Sequence, residues 1–321
     1  MQRRHFTAAV AATVAAPFAQ AQAAWPTARP IRVLVGYPPG GFTDVTARLI
    51  SDKLSARLGQ TVIVDNKPGA NGILAVDAVA KSAADGYTFV VVIAAHAANS
   101  SLYKKLPYDP MDLAAVSLIG VSPLVASVPI DAPYKTAREF MAYAKANPGK
   151  VSYGSSGNGS AVHLSTELLK SLTGTHMVHI PYRGAAAALT DLMGGQTQLF
   201  LDAASGLIGP GKAGRVRLIG VASEKRLSVL PDVPTFIEQG VPGFVASTWA
   251  GMLAPAATPA AIVKRMADEI AAIVRQEDVR ARLEGMGTIP VGNSPAEFEK
   301  FIAAETGKWG KVIRSAKVTL D

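Results

Sequence analysis

Twice in this chain, once in each half, an apolar strand-like run gives way to a loop of small residues. An amphipathic helix closed by glycine follows each time. The first unit is "VLVGYPPGGFTDVTARLISDKLSARLG", from Val33 to Gly59. The second is "VSYGSSGNGSAVHLSTELLKSLTG", from Val151 to Gly174. Strand, tight turn and helix in that order belong to an α/β architecture built on a parallel or mixed sheet. The rest of the chain alternates in the same way. Tyr87 to Ala95 reads as a buried parallel strand, and two short strands are expected around 116–128. A helix from about Thr136 stops at Asn147-Pro148-Gly149, and further helices are expected near 259–275, 278–285 and 295–316. At 321 residues the chain exceeds one ordinary domain, so two lobes are expected. A hydrophobic content of 49% against 17% charged residues gives each lobe material for a core.

Residues 1–23 read as an export signal and not as part of the fold. Arg3 and Arg4 precede a small-residue apolar run from Phe6 to Phe18. Two A-x-A cleavage sites follow, at Ala19–Ala21 and Ala21–Ala23. The paired arginines also match a twin-arginine signal. Beyond Trp25 no apolar run reaches the length of a membrane span, so the mature chain is expected in the periplasm as a soluble protein. It contains no cysteine, which excludes disulfides, a thiol nucleophile and cysteine-bound metal. The net charge is +8, of which the leader supplies two, and the remaining mild positive field favours anionic solutes. The basic residues are scattered, with no basic-aromatic block, which argues against nucleic acid.

The two small-residue loops carry the chemistry. A helix start presents N–H groups without partners and the positive end of the helix dipole. Glycine lets a ligand approach the backbone closely. Together they make an anion site. In the first loop the candidates are Tyr37, Pro39, Gly40, Gly41, Thr43 and Asp44, with Thr43 or Asp44 as helix cap. In the second they are Ser155, Ser156, Gly157, Asn158 and Ser160, with Ser160 as cap. Ala95 ends the run "VVVIAA" and His96 follows it, where a strand's carboxyl end can reach a cleft or simply turn into a loop. Tyr182 precedes another turn and is either a core or hinge ring or a ligand contact. Asp202 ends the strand "QLFLD" and either bonds loop amides or meets an ammonium group. His176 and His179 are three apart in a strand and point to opposite faces, which speaks against a metal pair.

Nucleotide and hydrolase signatures are missing. A P-loop needs Lys-Ser/Thr after its last glycine, but Phe42-Thr43 follow Gly41. The dinucleotide fingerprint fails at Val162. No G-x-S-x-G elbow and no H-E-x-x-H occur. Ser155, Ser156, His163 and Asp202 supply the residue types of a catalytic triad, as any serine-rich loop would. An exported hydrolase acting through Ser156 or Ser160 is the enzymatic alternative.

At these motifs the chain resembles the Bug family, the solute receptors of tripartite tricarboxylate transporters. The opening from Pro30 through "PGANGILAVDAVAKSAADGYT" carries the resemblance. So do "SLYKKLPYDP", "YGSSGNGSAVHLSTELL", "HIPYRGAAAALTDLMGGQ", "LPDVPTFIEQGVPGF", "WAGMLAPAATPAAIVKRM" and "GNSPAEFEKFIAAETGKW". The likeness implies a type II periplasmic binding protein fold, with two α/β lobes closing on a ligand cleft. Its lobes would be 24–127 plus 248–321, and 128–247. It implies a non-catalytic monomer, without cofactor or metal, that binds a small di- or tricarboxylate, amino acid or aromatic acid. Its partners would be the membrane permease subunits of the transporter or, alternatively, the outer domain of a sensor kinase. By the same likeness the two loops grip carboxylate oxygens. The sequence departs from the pattern at "FLD", where the family has "FD" before the acid corresponding to Asp202. It departs again at Phe42, where the family is often small and polar; a ring there would narrow the cleft or meet the guest.

Overall fold

The computed structural model describes residues 25–320; the leader assigned above lies outside them. β1 (Ile31–Val35) leads through the first loop into α1 (Phe42–Leu58). β2 (Val62–Asn66), α2 (Ile73–Ala80), β3 (Thr88–Val92) and α3 (Ala94–Leu102) follow. β1, β2 and β3 pair in parallel in the order β2-β1-β3. The apolar residues of β1 and β3 are buried on both faces, as a helix-covered parallel sheet requires.

A single long strand, β4 (Leu113–Pro129), then runs out of this unit and into a second one. There α4 (Ala137–Ala146), β5 (Val151–Ser155), α5 (Ala161–Thr173) and β6 (Met177–Pro181) come next. α6 (Ala185–Met193), β7 (Leu199–Ala203), α7 (Ala204–Lys212) and β8 (Val216–Val221) complete it. The chain returns through β9 (Ser247–Pro255). It finishes in the first unit with α8 (Ala260–Val274), α9 (Glu277–Gly285), β10 (Ile289–Pro290) and α10 (Pro295–Ala316). No helix among the described residues is long and apolar enough to cross a membrane.

The second unit repeats the plan of the first: β5 lies between β6 and β7, all parallel. Each candidate loop therefore leaves the middle strand of a parallel trio. The crossover that leaves that strand leads to one neighbour and the next one returns past it to the other, and the crevice so opened at its carboxyl end is where α/β sheets bind ligands. Both helices that follow end on a glycine in the left-handed region, Gly59 and Gly174, each at φ 63°.

β4 was expected as two strands, and the structure makes it one. Leu113–Pro123 pair antiparallel with β9 in the first sheet, whereas Leu124–Pro129 pair with β7 and β8 in the second. Bulges at Ala115/Ser117, Leu118/Gly120 and Ala126/Ser127 absorb the change of direction. Pro123 is tolerated within the ladder because the strand changes partners there. The return crossing lies at Ala246/Ser247, where Ala246 bonds Leu124 and Ala222. The strand at Tyr87–Ala95 is also shorter than expected. It ends at Val92, and Ala95 and His96 fall in the first turn of α3.

The first sheet is covered on one face by α1 and α8 and on the other by α2, α3 and α10. A separate core fills the second unit, built around Phe140, Tyr153, Phe200, Phe236 and Phe244. The amino-terminal half of α5 belongs to both units. Its Ala161 and Leu164 pack in the same cluster as Leu102, Trp249 and Trp309 of the first unit.

The cluster under α10 contains one buried carboxylate with two indole donors. Glu305 Oε2 accepts from Trp249 Nε1 at 3.1 Å and from Trp309 Nε1 at 3.0 Å. Both tryptophans are fully buried. Glu305→Leu strands two indole N–H groups and should lower the unfolding free energy by about 2–4 kcal/mol. Glu305→Gln keeps an acceptor and should cost less than half of that, as read by urea denaturation.

Candidate functional site

The first loop is braced from behind by Asp44. Its Oδ2 accepts the Gly40 N–H at 2.9 Å, and Oδ1 accepts Asn66 Nδ2 at 2.8 Å. The Arg48 guanidinium bridges to both oxygens from one turn further along α1. Asp44 is thus buried and committed to the loop. It does not cap α1, and neither does Thr43: the cap position is Gly41, with no side-chain bond. Gly40 sits at φ 86°, a conformation that glycine adopts without penalty. Among the described residues nothing accepts from the N–H groups of Gly41, Phe42, Thr43 or Asp44. Pro38 to Gly41 are exposed. Phe42 is half-buried and packs against the core under α1.

The second loop is held by a different set. Ser160 caps α5, accepting the His163 N–H at 3.2 Å. Ser155 is fully buried; its Oγ accepts the Gly157 N–H at 3.2 Å and lies 2.6 Å from His179 Nε2. The Gly159 N–H donates to His163 Nδ1 at 3.0 Å. The N–H groups of Ser156, Asn158, Ala161 and Val162 have no acceptor among the described residues. Ser156 is half-buried and Asn158 exposed.

The two loops meet through the candidate Tyr37 and through two residues the sequence reading did not select, Asn71 and Gly159. Tyr37 OH donates to the Asn71 carbonyl at 3.1 Å, and Asn71 Nδ2 reaches the Gly159 carbonyl across the two units at 3.3 Å. Asn71 holds this pose at φ 55° in a left-handed turn, and exchanges amide hydrogen bonds with buried Asn99. Gly159 is pressed against Leu102, whose Cδ1 lies 2.5 Å from the point a Cβ would occupy. The "PGANG" turn after β2 was the visible signal for Asn71, since asparagine tolerates that backbone region.

The remaining candidates divide. Ala95 is buried in the first unit's core. His96 stacks near Tyr108 at 6.4 Å and lines a small internal cavity with Gly36, Tyr37, Asn71, Gly72 and Asn99. Its Nδ1 has no partner among the described residues, and burial lowers its pKa to about 4. Tyr182 turns its hydroxyl to Asp191 at 2.7 Å, and its N–H donates to the Ser155 carbonyl. Asp202 pairs with Val125 across β4 and β7. Its Oδ2 lies 2.6 Å from the position a Cβ on Gly206 would take, so α7 closes over it only because residue 206 is glycine. Burial raises its pKa to about 7, against an opposing backbone hydrogen bond from Ala203. The triad that Ser155, Ser156, His163 and Asp202 allow on paper does not assemble. His163 is bonded to Gly159, Ser155 meets His179, and Asp202 faces Gly206.

Two carboxyls give opposite pH signatures. Burial pushes the Asp44 pKa up, but bonds from Arg48, Gly40 and Asn66 outweigh it and hold the group below the ordinary carboxylate range. Its stabilisation is therefore full above about pH 4 and fades as pH falls through the lower folded value. Asp44→Ala should cost about 2–3 kcal/mol at pH 7 and progressively less in denaturation curves taken below pH 4. Asp202 runs the other way: its raised folded pKa makes the charged form unfavourable in the native state, so its penalty grows from pH 4 to pH 7. Asp202→Asn should raise the melting temperature at pH 8 and leave it unchanged at pH 4; equal shifts at both would contradict this.

A family model described as the tripartite tricarboxylate transporter family receptor matches residues 46–318. Protein BugT of Bordetella pertussis is 36% identical over 296 residues, covering 91% of this chain and 91% of BugT. The solved structure of Rpa4515 from R. palustris with adipate superimposes with a TM-score of 0.87. It is 36% identical, over 92% of this chain and 99% of that one. MatC (Rpa3494) from Rhodopseudomonas palustris with bound malate gives a TM-score of 0.81 and 31% identity. The cover is 89% of this chain and 99% of that one.

Proposed function

The chain belongs to the tripartite tricarboxylate transporter receptor family, and on that footing we propose that it is a periplasmic solute receptor. It takes up a small carboxylate between two lobes of a type II periplasmic binding protein fold and presents it to the membrane permease of a tripartite transporter. In place of the expected 24–127 plus 248–321 and 128–247, the strand pairing supports lobes of residues 25–123 with 247–320, and 124–246. Export depends on the leader at residues 1–23, with Arg3 and Arg4 as its basic end.

The observation that carries this reading is the pair of helix starts with unpaired amides, one following the middle strand of each parallel trio, joined through Tyr37, Asn71 and Gly159. A carboxylate supplies the acceptors these N–H groups lack. Helix ends contribute only about 0.3–1 kcal/mol each, whereas charge-assisted hydrogen bonds contribute about 1.5–3 kcal/mol. Three to five such bonds reach the roughly 8 kcal/mol of micromolar binding. That adipate and malate occupy relatives of the same fold supports a dicarboxylate guest here. Gly41, Phe42 and Thr43 would hold one carboxylate, and Ser156, Asn158 and Ala161 the other. Asp202, with its pKa near neutrality, would meet a hydroxyl or an ammonium group on the guest.

The test is a thermal-shift series on purified protein with adipate, malate, other di- and tricarboxylates, amino acids and aromatic acids, each beside its neutral ester. A true guest at 100 times its dissociation constant should add about 2.7 kcal/mol, and its ester should add nothing. If no free acid stabilises the protein, or if the esters work equally well, the reading is wrong.

A further inference from the structure

Behind the second loop, against the core residue Tyr153, lies a cluster of titratable side chains. The rings of His163 on α5 and His179 on β6 stack with centroids 3.8 Å apart and planes within 10°. Tyr153 of β5 packs on His179 at 4.9 Å. Tyr153 OH donates to Glu167 Oε1 at 2.6 Å, and Lys170 Nζ donates to the same oxygen at 2.6 Å. These are the titratable groups that the three elements turn toward the histidines. Each ring holds one end of the loop: His163 Nδ1 takes the Gly159 N–H, and His179 Nε2 bonds the Ser155 hydroxyl that accepts from Gly157.

We propose that His163 and His179 are the positioning residues of the 155–160 loop, and that only the neutral stacked pair holds the loop's free amides open toward the cleft. The argument is geometric. Nδ1 of His163 can accept the Gly159 N–H only while it carries no proton, which fixes the ring's hydrogen on Nε2. A proton added at Nδ1 turns the acceptor into a donor facing another donor. It also puts an imidazolium against a second ring at stacking distance, with the Lys170 ammonium already near. The Gly159 carbonyl is the atom that Asn71 reaches from the other lobe, so a loop released at Gly159 loses its register on both sides of the cleft. Burial, with the Lys170 ammonium, lowers the His163 pKa to about 4; burial, with His163 and Lys170 and against Glu167, does the same for His179. The neutral pair therefore stabilises the fold fully above about pH 6.5, and that contribution declines as pH falls from there toward 4. The inference depends on the receptor reading only for what the loop grips.

The test needs no guest, which also avoids the guest's own titration. Ring nitrogen spectra and amide-exchange protection factors of 15N-labelled protein, without added carboxylate, are recorded from pH 7.5 to pH 4. The expected result is a His163 ring protonated on Nε2 alone at neutral pH, and a Gly159 amide whose protection falls as pH approaches 4. His163→Asn offers an amide oxygen in place of Nδ1 and should keep Gly159 protected at pH 4. His163→Leu should lower that protection roughly tenfold at pH 7. Should the leucine variant fail to fold, the parent titration and the asparagine variant decide the matter. Equal Gly159 protection in parent and His163→Leu, or a His163 ring titrating near 6.5, overturns the proposal. Failure of every carboxylate to bind would instead sink the receptor reading and leave these measurements standing.

Discussion

A backbone N–H at a helix start must find an acceptor, and the architecture follows from where two sets of them are left facing outward. Side chains satisfy the loop amides that would otherwise collapse inward: Asp44 for Gly40, Ser155 for Gly157, His163 for Gly159. What remains is the first turn of α1 and of α5, the part with the strongest call for an anion. The two halves reach this state by unlike means. One brace is a carboxylate with an arginine and an asparagine. The other is a pair of neutral rings. One plan of strand order thus carries two bracing chemistries.

Much of the scaffold could be read from the residues. The helices at 260–274, 277–285 and 295–316 follow from apolar spacing, and the last from its Ser294–Glu297 capping box. The stop after Ala146 follows from Asn-Pro-Gly. The glycine ends of α1 and α5 and the Ser160 cap were equally visible. The misses share a cause, because each depends on partners distant in sequence. Pro123 reads as a break, but β9, β7 and β8 carry the strand past it. α7, with Gly206, Gly209, Pro210 and Gly211, has almost no helical signal, and packing against β8 shapes it.

The site shows the same division. That the loops would present amides was legible from glycine, serine and helix starts. That Asp44 faces backward was not, because its partner Asn66 arrives on a separate strand. Nor could Ser155 be assigned to His179, since only the parallel register of β5 on β6 sets Tyr153 and Gly154 beside His179 and Ile180. Asn71 is the sharpest case: one exposed-looking turn residue supplies a hydrogen bond between the two units.

β4 runs unbroken from one sheet into the other, so the two halves are not joined by slack linkers. Any opening of the molecule has to be carried as torsion along a hydrogen-bonded ribbon whose bulges at Leu118/Gly120 and Ala126/Ser127 flank the crossing. Such a ribbon behaves as a torsion spring: it defines a resting angle and resists departure to either side.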